Sequence, residues 1–336
     1  MQMRHRLPTR HHRFFALKTE NHFMAQFPID PKTNAAKTGN PELLAWSQGD
    51  IENRIGFKGG RYTSVNHALA FLIGAVLTAV LYALMVFVFI HVPGISKIAT
   101  IYMRPTNQFA VIPATLFFFG GLSVLMLKGK KLKFQERALT LSAVPAEPEF
   151  VLNETTAATV LNRIHSLVDH PKHFLLLNRI DRALSNFKNI GQVNDVSAIL
   201  RAQAENDEDL VASSYTVVNG LVWAIPVLGF IGTVLGLSLA IGRFTATLQA
   251  GGDLTLIRAS LQGVTGGLAT AFESTLVALT FTLILQLVIT FQQKREMAFL
   301  DECNDYCHSH IVSKLRLAER QPPAAAPAPV LAEAKS

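Results

Sequence analysis

Four long apolar runs separated by polar stretches set the pattern of this chain. Residues 68–90 and 105–127 are each 23 residues long and contain no Asp, Glu, Lys or Arg. Residues 210–242 are uncharged over 33 positions, and residues 259–293 contain one ionisable side chain, Glu273. About 20 apolar residues in a helix cross a hydrocarbon core of about 30 Å, so each run is long enough to span a membrane. The pattern predicts an all-α, polytopic membrane protein with four transmembrane helices. The third and fourth runs exceed the membrane requirement, so those helices are expected to continue into a helical domain outside the bilayer.

Between the second and third runs, apolar positions change to a helical period. Val160, Leu161, Ile164, Leu167 and Val168 fall on one helix face, and Phe174, Leu177, Ile180 and Leu184 form a second set. Asp169-His170-Pro171 breaks the two. The organisation read from this is a polar N-terminal region (1–66, partly disordered), two spans with a short periplasmic loop (67–127) and a cytoplasmic helical loop domain (128–209). The paired third and fourth spans follow (210–300), then a helical extension (301–320) and a disordered Pro/Ala tail (321–336). The segment PELLAW, residues 41–46, reads as a short surface helix. The Arg-rich opening is followed by no apolar h-region or cleavage site, so it does not read as a signal peptide.

Composition sharpens this picture. Hydrophobic residues make up 49% of the chain and charged residues only 16%, against about a quarter charged in ordinary soluble domains. The net charge of +7 is concentrated beside the apolar runs, which argues for membrane topology and against a nucleic-acid surface. On one side of the membrane stand Arg54, Lys58, Arg61, Lys128, Lys130, Lys131, Lys133, Arg137, Lys294 and Arg295; on the other stand Lys97, Arg104, Arg243 and Arg258. The positive-inside rule then places both termini and the long loop in the cytoplasm of a bacterial inner membrane. The two cysteines, Cys303 and Cys307, are spaced one helical turn apart with His310 nearby. They read as reduced thiols rather than as a metal site, which needs four good ligands.

No soluble-enzyme motif is present, neither a Walker loop nor GxGxxG, GxSxG or HExxH; no catalytic residue, cofactor or metal is expected. The spans carry so little polarity that a small ion, a proton or sodium, is the expected cargo. In the third span Gly232, Gly236 and Ala240 form a small-residue stripe that lets helices approach closely. Pro226 removes one backbone hydrogen bond from that helix. In the fourth, Glu273 is the one acid in any span, a placement that costs roughly 3 kcal/mol at mid-bilayer and is functional by default. Counting back from Lys294 and Arg295 puts it near the outer edge. Thr270, Glu273 and Thr280 share one face of this helix, while Ala271, Thr275, Ala278, Thr282 and Gln286 share the opposite one.

The segment IPVLGFIGTVLGL (225–237) followed by GGLATAFESTLVAL (266–279) resembles the paired signature of the MotA/TolQ/ExbB proton-channel family. By that resemblance Thr233 and Thr275 match the family's pore threonines, and Pro226 matches the proline region of MotA's third helix. Thr270 stands where TolQ and ExbB commonly carry Glu, and this chain has its acid three residues later. The resemblance implies a homopentamer around two copies of a single-span MotB/TolR/ExbD-like partner, embedded in lipid, converting ion-motive force into mechanical work. A stand-alone transporter or channel is the alternative. It predicts more charge within the spans and inverted repeats. A membrane scaffold would leave the Gly-Thr-Gly stripe and Glu273 without a role.

Overall fold

A computed structural model describes residues 44–316, except for 58, 92–95, 142, 146, 148–149, 186–192 and 250–253. The described residues lie within one compact unit, Leu43–Ser336. The expectations for residues 1–43, for 317–320 of the helical extension and for the tail 321–336 fall outside the described residues.

Among the described residues the chain is helical, with two isolated parallel bridges, Leu44 with Val168 and Leu152 with Leu315. Two single-turn helices, α1 (Trp46–Gly49) and α2 (Ile51–Arg54), precede the first long one, α3 (His67–His91). A short α4 (Ser96–Met103) leads into α5 (Pro105–Leu139). Then come α6 (Glu154–Leu167), a 3₁₀ turn (Pro171–His173), α7 (Leu175–Ser185), α8 (Val193–Ser213), α9 (Thr216–Gln249) and α10 (Leu254–Cys307), closed by a π-helical turn (His308–Val312). Four of these helical segments are long and apolar enough to cross a membrane.

Each spanning helix keeps an apolar face away from the protein. On α3, Leu72, Val76, Val80, Leu84, Phe87 and Ile90 recur at helical spacing and stay exposed, the pattern expected of a lipid-facing surface. The inward face packs by small residues. A Cβ on Gly74 would lie 2.6 Å from the backbone nitrogen of Gly120, so α3 and α5 touch backbone to backbone.

Helix α5 does not stop at the first charge after its apolar run but continues to Leu139, with Lys130 and Lys133 exposed and Lys128 and Lys131 turned into the protein. Lys128 Nζ lies 3.1 Å from Glu296 Oε1 of α10, with both side chains 1% exposed. It also donates to Ser214 Oγ at 2.7 Å and sits 4.3 Å over the Tyr215 ring. One turn on, Lys131 Nζ reaches Glu52 Oε2 at 2.5 Å, Ser64 O at 2.8 Å and Asp50 Oδ1 at 3.7 Å. Lys128 and Lys131 are therefore interior residues, although in sequence they read as flanking charges.

Outside the spans, α6, α7 and α8 pack with the ends of α5 and α10 around a core that includes Leu132, Ile164, Phe174, Leu176, Ile180, Phe299 and Cys303. The Asp169–Pro171 break lies where the periodicity predicts, and Asn153 caps α6 through the backbone N–H of Thr156. One reading needs correction. Trp46 is no surface residue: it is 2% exposed and its ring packs against Phe134 and Phe174 at centroid distances of 5.7 and 5.4 Å. Within the acidic stretch before α9, Asp207 is buried, with its Oδ2 taking a 2.6 Å hydrogen bond from Arg179 Nε. Both cysteines are free and buried; burial pushes both thiols up, Cys307 to about 11, which keeps them protonated and unreactive. Among the described residues no group of three or more His, Cys, Asp or Glu could hold a metal ion.

Candidate functional site

Helices α9 and α10 approach along facing rows of small residues. A Cβ on Gly229 would lie 2.6 Å from that of Ala278, and one on Gly236 would lie 3.1 Å from that of Ala271. At Gly232 it would meet Ala110 Cβ and Ser274 Oγ, both at 2.7 Å, and at Gly267 it would meet Ala240 Cβ at 2.5 Å. Gly229, Gly232, Gly236 and Ala240 are all buried at this seam. Pro226 lies within α9, one turn before Gly229.

The closeness brings the two sequence-predicted threonines together. Thr233 Oγ1 and Thr275 Oγ1 are in direct hydrogen bond across the seam. Thr275 Oγ1 also lies 3.0 Å from Gly229 O, and Thr233 Oγ1 lies 3.2 Å from both Gly229 O and Ala271 O. Two hydroxyls supply two hydrogens, each oxygen both donates and accepts, and the carbonyls only accept. The hydrogens can thus run from Thr233 through Thr275 to Gly229 O, or from Thr275 through Thr233 to a carbonyl. Reversal between the two orders reorients the pair and by itself moves no net charge. The same four oxygens are also hard ligands suited to an alkali cation.

Thr270 and Glu273 form a second group on another face of α10. Arg104, the residue before α5, donates from Nη1 to Glu273 Oε2 at 3.0 Å and to Thr270 Oγ1 at 2.8 Å. Asn107 Nδ2 adds a longer bond to Glu273 Oε2 at 3.4 Å. Thr270 in turn donates to Gly266 O at 2.8 Å. Beside this group opens a cavity of about 380 Å³ lined by Arg104, Gly236, Arg243, Gly266, Thr270 and Glu273, among others. Thr280, on the same predicted face, is exposed and bonds the carbonyl of Leu276 on its own helix. Thr282 does the same with Ala278 O, and Gln286 is exposed.

The four candidate ion-path residues, Thr233, Thr275, Thr270 and Glu273, form two groups that follow the two faces of α10 read from the sequence: the hydroxyl pair Thr233–Thr275 and an acid–guanidinium group at Thr270 and Glu273. Arg104 and Asn107 were not anticipated as members. A usable signal was there: an arginine just before a span and an acid inside another span, both at the same membrane edge.

The fold and this seam define a polytopic helical membrane protein with its polar groups concentrated between two closely packed spans. Residues 170–302 match the model of the MotA/TolQ/ExbB proton channel family. The match takes in α7, α8, α9 and most of α10, and so contains both segments that carry the resemblance. No curated protein and no solved structure matches the chain.

Proposed function

We propose that this protein is the ion-conducting subunit of a motor that converts ion-motive force into mechanical work. It would act as a homopentamer around two copies of a single-span MotB/TolR/ExbD-like partner in a bacterial inner membrane, without chemistry of its own. The observation that carries the reading is the hydroxyl pair Thr233–Thr275 with its two carbonyl neighbours, held between glycines in otherwise apolar spans. A side chain with only hydroxyl and carbonyl neighbours can pass a proton or strip water from a cation without holding either permanently. The partner's membrane carboxylate, on another chain, would be the main carrier.

The assembly is supported by surface chemistry. Phe272, Leu276, Leu279, Leu283, Leu287 and Phe291 form a continuous exposed apolar ridge along α10, and Trp223 and Phe230 project from α9. Lipid, neighbouring copies and the partner are the surroundings that suit such faces. Both termini are assigned to the cytoplasm by the Lys/Arg bias. Removing the buried Lys128 and Lys131 from one side and the paired Arg104 from the other leaves eight against three, so the bias persists.

The test is motor output from T233V and T275V, with membrane insertion checked alongside. Each variant keeps the side-chain volume and removes one hydroxyl, so insertion should be normal and output lost. Normal output from both variants would remove the proposed ion path.

A further inference from the structure

We propose that Arg104 is a tethered cation that latches the mouth of the ion path: it occupies the cation position on Glu273, and a travelling proton or alkali cation must displace it. The inference rests on the ion-path reading and adds a gate to it.

The geometry has three parts. First, Arg104 is held by its backbone, not by its side chain alone. Its N–H donates to Thr100 O at 3.1 Å at the end of α4, and Pro105 follows as the first residue of α5. The guanidinium is thus delivered to α10 from a fixed point. Second, one nitrogen, Nη1, bridges a full helical turn by bonding both Thr270 Oγ1 and Glu273 Oε2. Arginine cannot be deprotonated in a protein, so this ligand stays a cation at any working pH. Third, the contact is accessible: Arg104 and Glu273 are 38% and 26% exposed and line the cavity of about 380 Å³. A volume of that size holds several waters at about 30 Å³ each.

The charges facing that cavity close it to cations. Arg104 and Arg243 bring two positive charges and Glu273 one negative, leaving a net excess of one positive charge at the mouth. Such a field repels an incoming cation. Withdrawing Arg104 from Glu273 exposes a carboxylate with Thr270 Oγ1 and Asn107 beside it, a site that takes a proton or a partly dehydrated alkali ion. Gly263, Gly266 and Gly267 add no side chains to the α10 wall beside Ala269, Thr270 and Glu273, which leaves room for the exchange.

The experiment labels Glu273 with dicyclohexylcarbodiimide, which reacts with protonated carboxyl groups in membranes, on membranes containing the full chain; the adduct is read by mass spectrometry. In the wild type the carboxylate is held by Arg104 and labelling should be slow. In R104Q the Glu273 carboxyl loses the guanidinium that covers it, and labelling should rise several-fold. R104K keeps the charge on a shorter side chain, gives intermediate labelling, and serves where R104Q fails to insert. Sodium slowing the R104Q reaction supports the latch with an alkali cation as the displacing ion; insensitivity to sodium supports it with a proton. Equal labelling of wild type, R104K and R104Q would overturn the proposal. Labelling is independent of motor output: a contrast in labelling combined with normal output from T233V and T275V retains the Arg104 contact while sinking the ion path.

Discussion

Replacing Lys128 by Met and Glu296 by Leu, singly and together, tests what holds α5 against α10 where both leave the apolar zone. The two side chains are 1% exposed and 3.1 Å apart, and Lys128 spends its other donors on Ser214 Oγ at 2.7 Å and Thr63 Oγ1 at 3.5 Å. K128M leaves the Glu296 carboxylate buried without its counter-charge; E296L strands the ammonium in the same way. Breaking one side of a buried pair costs about 3–5 kcal/mol, whereas replacing both by apolar groups of similar volume is often neutral or stabilising. At roughly 2–4 °C per kcal/mol, the figure for domains of about 150–250 residues, each single variant should lose on the order of 10 °C of melting temperature. The double variant should recover most of it. The assay is thermal unfolding in mild detergent followed by the emission of Trp46, which packs in the extramembrane core, with W223F removing the other tryptophan. Single variants that cost under about 1 kcal/mol, the value of a solvated surface pair, would refute the burial argument. A double variant as unstable as the sum of the singles would refute the pairing.

Three further outcomes are expected. G229V should be inserted but inactive: its new side chain meets Ala278 where a Cβ alone would already lie 2.6 Å away, separating α9 from α10 at the Thr233–Thr275 contact at a cost of about 1–3 kcal/mol; wild-type motor output would contradict it. W46A should destabilise the extramembrane domain by about 3–5 kcal/mol, since it empties a site 2% exposed among Phe134, His173 and Phe174; limited proteolysis of the region before α3 gives the measurement. Burial, followed by the neighbouring His170, holds His173 below its ordinary 6.5. The unfolded chain therefore binds this proton more readily, and the stability present above pH 6.5 should decline as pH falls through that value toward the folded one. A pH titration of the melting temperature should show a shallower decline in H173Q than in the wild type.

The four spans and the α6–α7 break were legible because each depends on one local property, apolar length or apolar period, that the membrane or the core enforces. The hydroxyl pair was legible only through the resemblance: Thr233 and Thr275 stand 42 positions apart, and nothing in either segment alone says that the two face each other. What the sequence concealed is pairing at a distance. Lys128 and Lys131 carry the same formal charge as Lys130 and Lys133, but they point inward, toward Glu296 and Glu52 from separate parts of the chain. Arg104 read as a flanking charge for the same reason. Trp46 was assigned to the surface because the residues that cover it, Phe134 and Phe174, come from α5 and the segment before α7. Period and hydropathy report which residues avoid water; they do not report which partner provides the shelter.

Helices α9 and α10 differ in stiffness in a way that bears on how work could leave the seam. From Leu268 to Cys307 α10 contains no glycine or proline, and a 54-residue helix is about 80 Å long. Its buried face runs from Thr270, Ala271 and Ser274 through Ala278, Leu285 and Ile289 to Glu296, Phe299 and Cys303 in the extramembrane core. A displacement at Thr275 is thus carried to that core along one unbroken rod. Helix α9 carries Pro226 inside its span and glycines at 220, 229, 232, 236 and 242, the residues at which helices bend. Bending concentrated in α9 against a rigid α10 predicts that P226A, which restores a backbone hydrogen bond near the seam, stabilises the inserted protein while lowering motor output. The stability comes from the detergent melting curve and the output from the same assay as T233V. An increase in both quantities would place the flexible element elsewhere than Pro226.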